Sequence, residues 1–271
     1  MDKNRKFWGR VEAPFNKSEE EAWGELQARI ARGETSVIRM YNPWKYVAAA
    51  AAVVVFAVSI FFLNGNETIT AQTQAGEMKT LILPDGSELI LNARSTASYK
   101  EDWSDDRQIE LNGSGFFKVK KGSRFVVFTK YGDVEVLGTS FDVTARENQF
   151  RVICETGRVR VSAGNESVII NPGEQADFAE KKLVSRPAKR AGDAWISGQF
   201  IYENEPLVNV ISDIEDQFNV EINNPNFENE LYTGQFEKSN IDEVLNLVLS
   251  PYGLTFKKGS AGNIKVIENN K

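Results

Sequence analysis

Apolar positions follow four regimes along this chain. In the first, Phe7, Trp8, Val11 and Phe15 fall at helical spacing, and Trp23, Leu26 and Ile30 repeat it. Ser18 followed by Glu21 is a capping box, and Gly33 is a plausible stop. The pattern therefore predicts a short helix with acidic residues at its start and Arg29 and Arg32 near its end, as the helix dipole prefers. The second regime is unbroken. Val47 to Leu63 is seventeen residues with one hydroxyl, Ser59, and no charge. At about 1.5 Å per residue it covers about 26 Å, and Trp44 to Tyr46 bring it near the roughly 30 Å of a bilayer core. A secretory signal has a far shorter lead than the 46 residues found here. The expectation is a transmembrane helix over 44–63.

The third regime is alternation. Leu81–Leu83 and Leu89–Leu91 flank Pro84-Asp85-Gly86-Ser87, a hairpin signal. Further strand-like runs are Phe116–Val119, Phe125–Thr129, Val134–Leu137, Phe141–Thr144, Phe150–Cys154, Arg158–Val161 and Val168–Ile170, punctuated by glycines at 113, 122, 132, 157, 164 and 173. Many short strands with regular turns predict an all-β sandwich or a solenoid-like stack.

In the fourth regime a helical period returns within a repeat. Ser197-Gly198-Gln199-Phe200 recurs as Thr233-Gly234-Gln235-Phe236. The first copy leads to a helix carrying Leu207, Val210, Ile211, Ile214 and Phe218, the second to one carrying Ile241, Val244, Leu245, Val248 and Tyr252. Val220 and Ile222 then match Leu254 and Phe256, and Ile264–Ile267 forms a last strand. Pro206 suits a first helical turn and Asn240 an N-cap. This predicts a doubled β-α-β unit, a small α+β domain.

Charge sets an orientation. Arg29, Arg32, Arg39 and Lys45 precede the span, whereas only Lys79 follows it before Pro84. The N-terminus is expected in the cytoplasm and everything after Asn64 outside it, in the periplasm of a Gram-negative cell. The organisation expected is a segment 1–43, a span 44–63, a linker 64–78, an all-β domain 79–178, a linker 179–194 and an α+β domain 195–271.

Composition narrows the chemistry. The 271 residues contain no histidine, so Ser-His-Asp and Cys-His sites and histidine zinc sites are excluded. The net charge of −6 argues against direct nucleic-acid binding. Gly113 and Gly115 lack the Lys-Ser/Thr of a phosphate loop, and Asp105–Asp106 beside Arg107 reads as a solvated loop. No cofactor is expected. Cys154 is the one cysteine and reads as a buried small hydrophobe. Segment 1–43 is too short for its own core. Its aromatics pack on each other or on the bilayer, or they dock a cytoplasmic protein.

The stretches LPDGSELILN (ending at Asn92), GFFKV (115–119), RFVVFTKYGDVEVLGTSFDV (124–143), ETGRVRV (155–161) and NPGEQADF (171–178) together resemble the periplasmic domain of FecR-type sigma-factor regulators. Members usually read Gly-Glu-Ala where this chain has Gly113-Ser114-Gly115, a departure expected to alter a turn. The doubled unit is similar to STN-type signalling modules. The resemblance implies an anti-sigma factor: a single-pass inner-membrane protein that binds an extracytoplasmic-function sigma factor through Phe7, Trp8, Trp23, Leu26 and Ile30. It also implies contact with the signalling domain of a TonB-dependent outer-membrane receptor, for which Gln199, Phe200, Gln235 and Phe236 are the candidates. Some members cut themselves at a Gly-Thr bond, here Gly138-Thr139. The simpler reading is that Gly138 allows a bulge and Thr139 is a strand residue. A rival of another class is a membrane-anchored module binding glycan or peptidoglycan.

Overall fold

The computed structural model describes residues 17–33, 44–63, 67–103, 106–147, 149–179, 181–223, 227, 229–259 and 262–268. The chain divides into two compact units, Met1–Asn64 and Gly65–Lys271.

The first unit contributes two helices, α1 (Glu19–Ala31) and α2 (Trp44–Leu63). The capping box on α1 is formed: Ser18 Oγ accepts from the Glu21 amide, and the Glu21 carboxylate accepts from the Ser18 amide. Gly33 ends the helix with φ +63°. Helix α2 covers the whole predicted apolar run. Judged on the described side chains, no helix is long and apolar enough to cross a membrane. For α2 those side chains are Trp44 and residues 47–56.

The second unit begins with thirteen strands: β1 (Thr68–Gln72), β2 (Lys79–Ile82), β3 (Glu88–Leu91), β4 (Thr96–Lys100), β5 (Arg107–Lys118), β6 (Phe125–Phe128), β7 (Asp133–Val136), β8 (Ser140–Arg146), β9 (Gln149–Cys154), β10 (Val159–Ala163), β11 (Glu166–Ile170), β12 (Glu174–Ala179) and β13 (Lys182–Pro187). They form a sandwich rather than a solenoid. One sheet runs β1-β4-β5-β6-β7-β10-β11 and the other β2-β3-β5-β8-β9-β12-β13. All pairings are antiparallel except β5–β6. The two sheets share β5. Its first half pairs with β4 and β6, and its second half with β3 and β8.

The crossing falls at Gly113, whose φ is +104°. A Cβ there would lie 2.4 Å from Ser95 Oγ. Gly113-Ser114-Gly115 is therefore the middle of a strand passing between sheets, not the turn expected. Inside the sandwich, Phe117 stacks on Phe141 at 5.1 Å and meets Phe125 edge-on at 6.1 Å. Cys154 is fully buried among these side chains, as expected, and burial pushes its thiol up to about 11.

Several sequence expectations need correction. The segment 64–78 contains β1, and 179–194 contains β13, so neither is a plain linker. Arg107 is not in a solvated loop; it opens β5, is buried, and pairs with Asp85 at 2.8 Å. Gly138 and Thr139 lie in the connection between β7 and β8, so Gly138 is not a strand bulge and Thr139 is not a strand residue.

The C-terminal part has strands β14 (Gln199–Pro206), β15 (Glu221–Asn223), β16 (Leu231–Glu237), β17 (Leu254–Lys258) and β18 (Asn263–Glu268). Its helices are α3 (Leu207–Phe218) and α4 (Ile241–Leu249). The repeat pairs with itself, because β14 lies antiparallel to β16 with Phe200 opposite Phe236. Strands β15, β18 and β17 form a second small sheet. Pro206 ends β14 and serves as the N-cap of α3 instead of its first turn, while Asn240 caps α4 as expected. The apolar stripes of α3 and α4 share a core with Phe116 of β5. The paired phenylalanines of GFFKV thus serve two cores, Phe117 the sandwich and Phe116 the C-terminal module.

Candidate functional site

Three features of this chain bear on function: the seam between sandwich and C-terminal module, the exposed stripe of α1, and the outer face of the β14–β16 ribbon. The seam carries an unusual amount of buried charge. Arg151 of β9 reaches Asp177 of β12 and Glu205 of β14, each at 2.7 Å. Gln149 also donates to Glu205 at 3.0 Å. Asp216 of α3 takes Arg146 of β8 at 2.6 Å and Arg94 at 3.2 Å. Gln217 donates to Asn92 across the same joint at 2.8 Å.

At the centre sits Asp142 of β8, fully buried. Its Oδ1 accepts from the Trp195 indole at 2.9 Å, and Arg190 lies 3.5 Å from its Oδ2. Trp195 is placed by a 3-10 turn, Ala194–Ser197, that Gly198 ends at φ +79°. Burial pushes Asp142 up to about 6 against the pull of Arg190 and Trp195. Burial likewise raises Asp213, which accepts from the Tyr202 hydroxyl at 2.9 Å, and Asp216 despite its two arginines. Asp177 is different: burial pushes it up, but Arg151, Gln175 and Arg186 together outweigh burial and hold it below the usual carboxylate range. A polar cavity of about 30 Å³ lies among Arg151, Arg190, Trp195 and Asp213, the size of one water. These charges are paired and largely out of water, so removing one partner strands the other. Chemically the seam is a clasp. Among the described residues no cluster of Cys, Asp and Glu side chains could hold a metal.

On α1, Trp23, Leu26 and Ile30 are 65, 46 and 73% exposed and lie along one side of the helix. Phe7 and Trp8 lie outside the described residues. Of the other candidates, Phe200 and Phe236 are buried and stacked at 5.2 Å, so both belong to the core and neither offers a ring to a partner. Gln199 and Gln235 are exposed and share a shallow depression with Ile201 and Glu237. Strand alternation explains the split, since neighbours in a strand face opposite ways. Sequence reasoning missed the seam. Its arginines and carboxylates read singly as surface charge, and only the strand phase of Asp142, between the core residues Phe141 and Val143, signals otherwise.

Profiles of two families match this sandwich and this module in order: FecR protein over residues 69–160, and FecR, C-terminal over residues 199–266. Together they cover more than half the chain. It belongs to the FecR family. Two crystal structures, each of a candidate anti-sigma factor from Parabacteroides distasonis, are similar to this FecR-family chain. One has a TM-score of 0.70 at 26% identity and covers 75% of this chain and 100% of its own. The other has a TM-score of 0.68 at 27% identity and covers 74% and 100%. No curated protein matches significantly. As a FecR-type anti-sigma factor the chain is a regulator of a sigma factor, and a sigma factor is its partner.

Proposed function

We propose that this chain is a single-pass inner-membrane relay between an outer-membrane receptor and an extracytoplasmic-function sigma factor. Helix α2 is the span, with α1 in the cytoplasm and the sandwich and C-terminal module in the periplasm. The twenty-residue apolar helix and the basic residues before it support that layout.

The observation that carries the reading is the stripe on α1. A large aromatic and two aliphatics are exposed on a helix with no buried residue. Such side chains are typical anchors at interfaces. Trp23, Leu26 and Ile30 hold the sigma factor. Gln199 and Gln235 face the signalling domain of a TonB-dependent receptor, on a module that is similar to STN-type modules. The Gly138–Thr139 bond stays whole in this reading, because the Thr139 hydroxyl has no hydrogen-bond partner among the described residues and so no base in place to take its proton.

The test is co-purification of the full chain in mild detergent with its host's sigma factors. Wild type should retain one sigma factor, and Trp23→Ala with Leu26→Ala should lose it while the exported part stays folded. Retention by the double variant would refute the assignment of the stripe. Reporters fused before Met1 and after Lys271 should lie in different compartments, and intact mass should equal that of Thr139→Ala plus the side-chain difference.

A further inference from the structure

A groove of about 540 Å³ lies on the sandwich, lined entirely by sandwich residues. Its volume falls in the range of true ligand sites. The floor is a cross-strand row on one sheet, Glu135 of β7 opposite Arg160 of β10 opposite Ile169 of β11. Arg158, Lys121 and the connection Leu137–Thr139 complete its lining.

The charge of this groove is one-sided. Lys121, Arg158 and Arg160 are exposed, and none forms an ion pair among the described residues. Glu135, the carboxylate of the lining, is already held by Arg124 at 2.8 Å. Two further observations point to a ligand. Thr139 lines the groove, is 5% exposed, and its hydroxyl has no hydrogen-bond partner among the described residues. Leu137 and Ile169 are 62 and 54% exposed, giving apolar contact beside the cations.

Spacing selects the class of ligand. Val159 and Val161 face the core, so Arg160 projects outward from β10, and Arg158, immediately before the strand, is exposed beside it. Residues two apart in a strand are about 6.8 Å apart. An extended peptide with carboxylates at alternate positions has that same spacing. We propose that this groove binds an extended acidic peptide segment of a partner protein, with alternate carboxylates on Arg158 and Arg160. The site shares no residue with the α1 stripe or with the β14–β16 face. It does not depend on the relay reading.

The experiment uses the full chain in detergent and a labelled eight-residue peptide alternating Glu and Thr, read by fluorescence anisotropy. Binding should weaken at least tenfold when Arg158→Gln and Arg160→Gln are combined, and it should weaken with added salt. The same peptide with Gln for Glu should not bind. Lys121→Gln, at an exposed position, should weaken binding about threefold and covers the case in which the double variant fails to fold. Equal binding by wild type and Lys121→Gln together with equal binding of the Gln peptide would overturn the proposal. So would no binding at millimolar peptide, or preference for an oligouronate of equal charge.

Discussion

The Trp195 indole donates to Asp142 Oδ1 at 2.9 Å across the seam between sandwich and C-terminal module. One residue comes from a sandwich strand and the other from the segment entering the module, so this bond and the arginine pairs around it tie the two into one unit. Ligand contact on the module can alter the rest of the chain only by favouring one state over another. A seam of paired charges gives such contact a rigid body to act on.

Asp142 makes that seam sensitive to pH. Its ordinary value of 3.8 is pushed up to about 6 by burial. The folded state therefore binds a proton more tightly than the unfolded one. The stability this group contributes is full below about 4 and is lost as pH rises through about 6. A shift of about two units corresponds to about 3 kcal/mol. Asp213 and Asp216 are raised as well and slope the same way, while Asp177 slopes the other. Asp142→Asn keeps an acceptor for the indole and removes the charge. Urea unfolding from pH 4 to 7 should show a flatter profile for the variant and equal or greater stability at pH 7. An unchanged slope would rule out Asp142 as its source.

Arg151 is the costliest pair partner to remove. It holds both Asp177 and Glu205, and all three side chains are largely buried. Arg151→Met leaves Glu205 charged and out of water, at a cost of about 3–5 kcal/mol. Adding Glu205→Gln should restore a large part of that loss. The comparison is made by urea unfolding of the single and double variants at pH 7.

The repeat Gln-Phe pairs divide core from surface. Phe236→Ala removes a stacked, buried ring and should cost about 3–5 kcal/mol. Gln199→Ala and Gln235→Ala sit on an exposed face and should change stability by less than about 0.5 kcal/mol. In the proposed binding to a receptor signalling domain the order should reverse, with the glutamine variants weakened and still fully folded.

Much of this was legible because periodicity survives without tertiary context. The hairpin around Pro84–Ser87 and the apolar stripes of α3 and α4 are local patterns, and each forms where expected, whereas the pairing of the repeat with itself is non-local and was not read. Strand β1, reading Thr-Ile-Thr-Ala-Gln, and β13, reading Lys-Leu-Val-Ser-Arg-Pro, were missed because little of either is buried. Their order comes from pairing with β4 and β12, which is non-local. The seam was illegible for a related reason. Arg146, Arg151, Glu205 and Asp216 lie far apart in sequence, and nothing in any one of them tells a clasp from a solvated face. Residue type was misleading at Phe200 and Phe236, where a conspicuous aromatic repeat turned out to fill a core.

Gly113 offers the sharpest test of the architecture. Strand β5 can serve both sheets only if its backbone swings between them, and at Gly113 it does so with φ +104°. An L side chain is strained there by about 1–3 kcal/mol whatever the space around it. The space is also missing, since a Cβ would lie 2.8 Å from Ser95 Cα, a backbone atom that cannot turn aside. Ser95 is itself tied down: its hydroxyl accepts from the Ser114 amide at 2.9 Å and donates to the Ala93 carbonyl at 3.0 Å. Gly113→Ala should therefore destabilise the sandwich by more than 3 kcal/mol, measured by urea unfolding. The same change at Gly173, with φ +78° but nothing within 4 Å of its Cβ, should cost only the backbone strain of about 1–2 kcal/mol. Equal losses at the two sites would mean that the crossing of β5 is not held by its contact with Ser95.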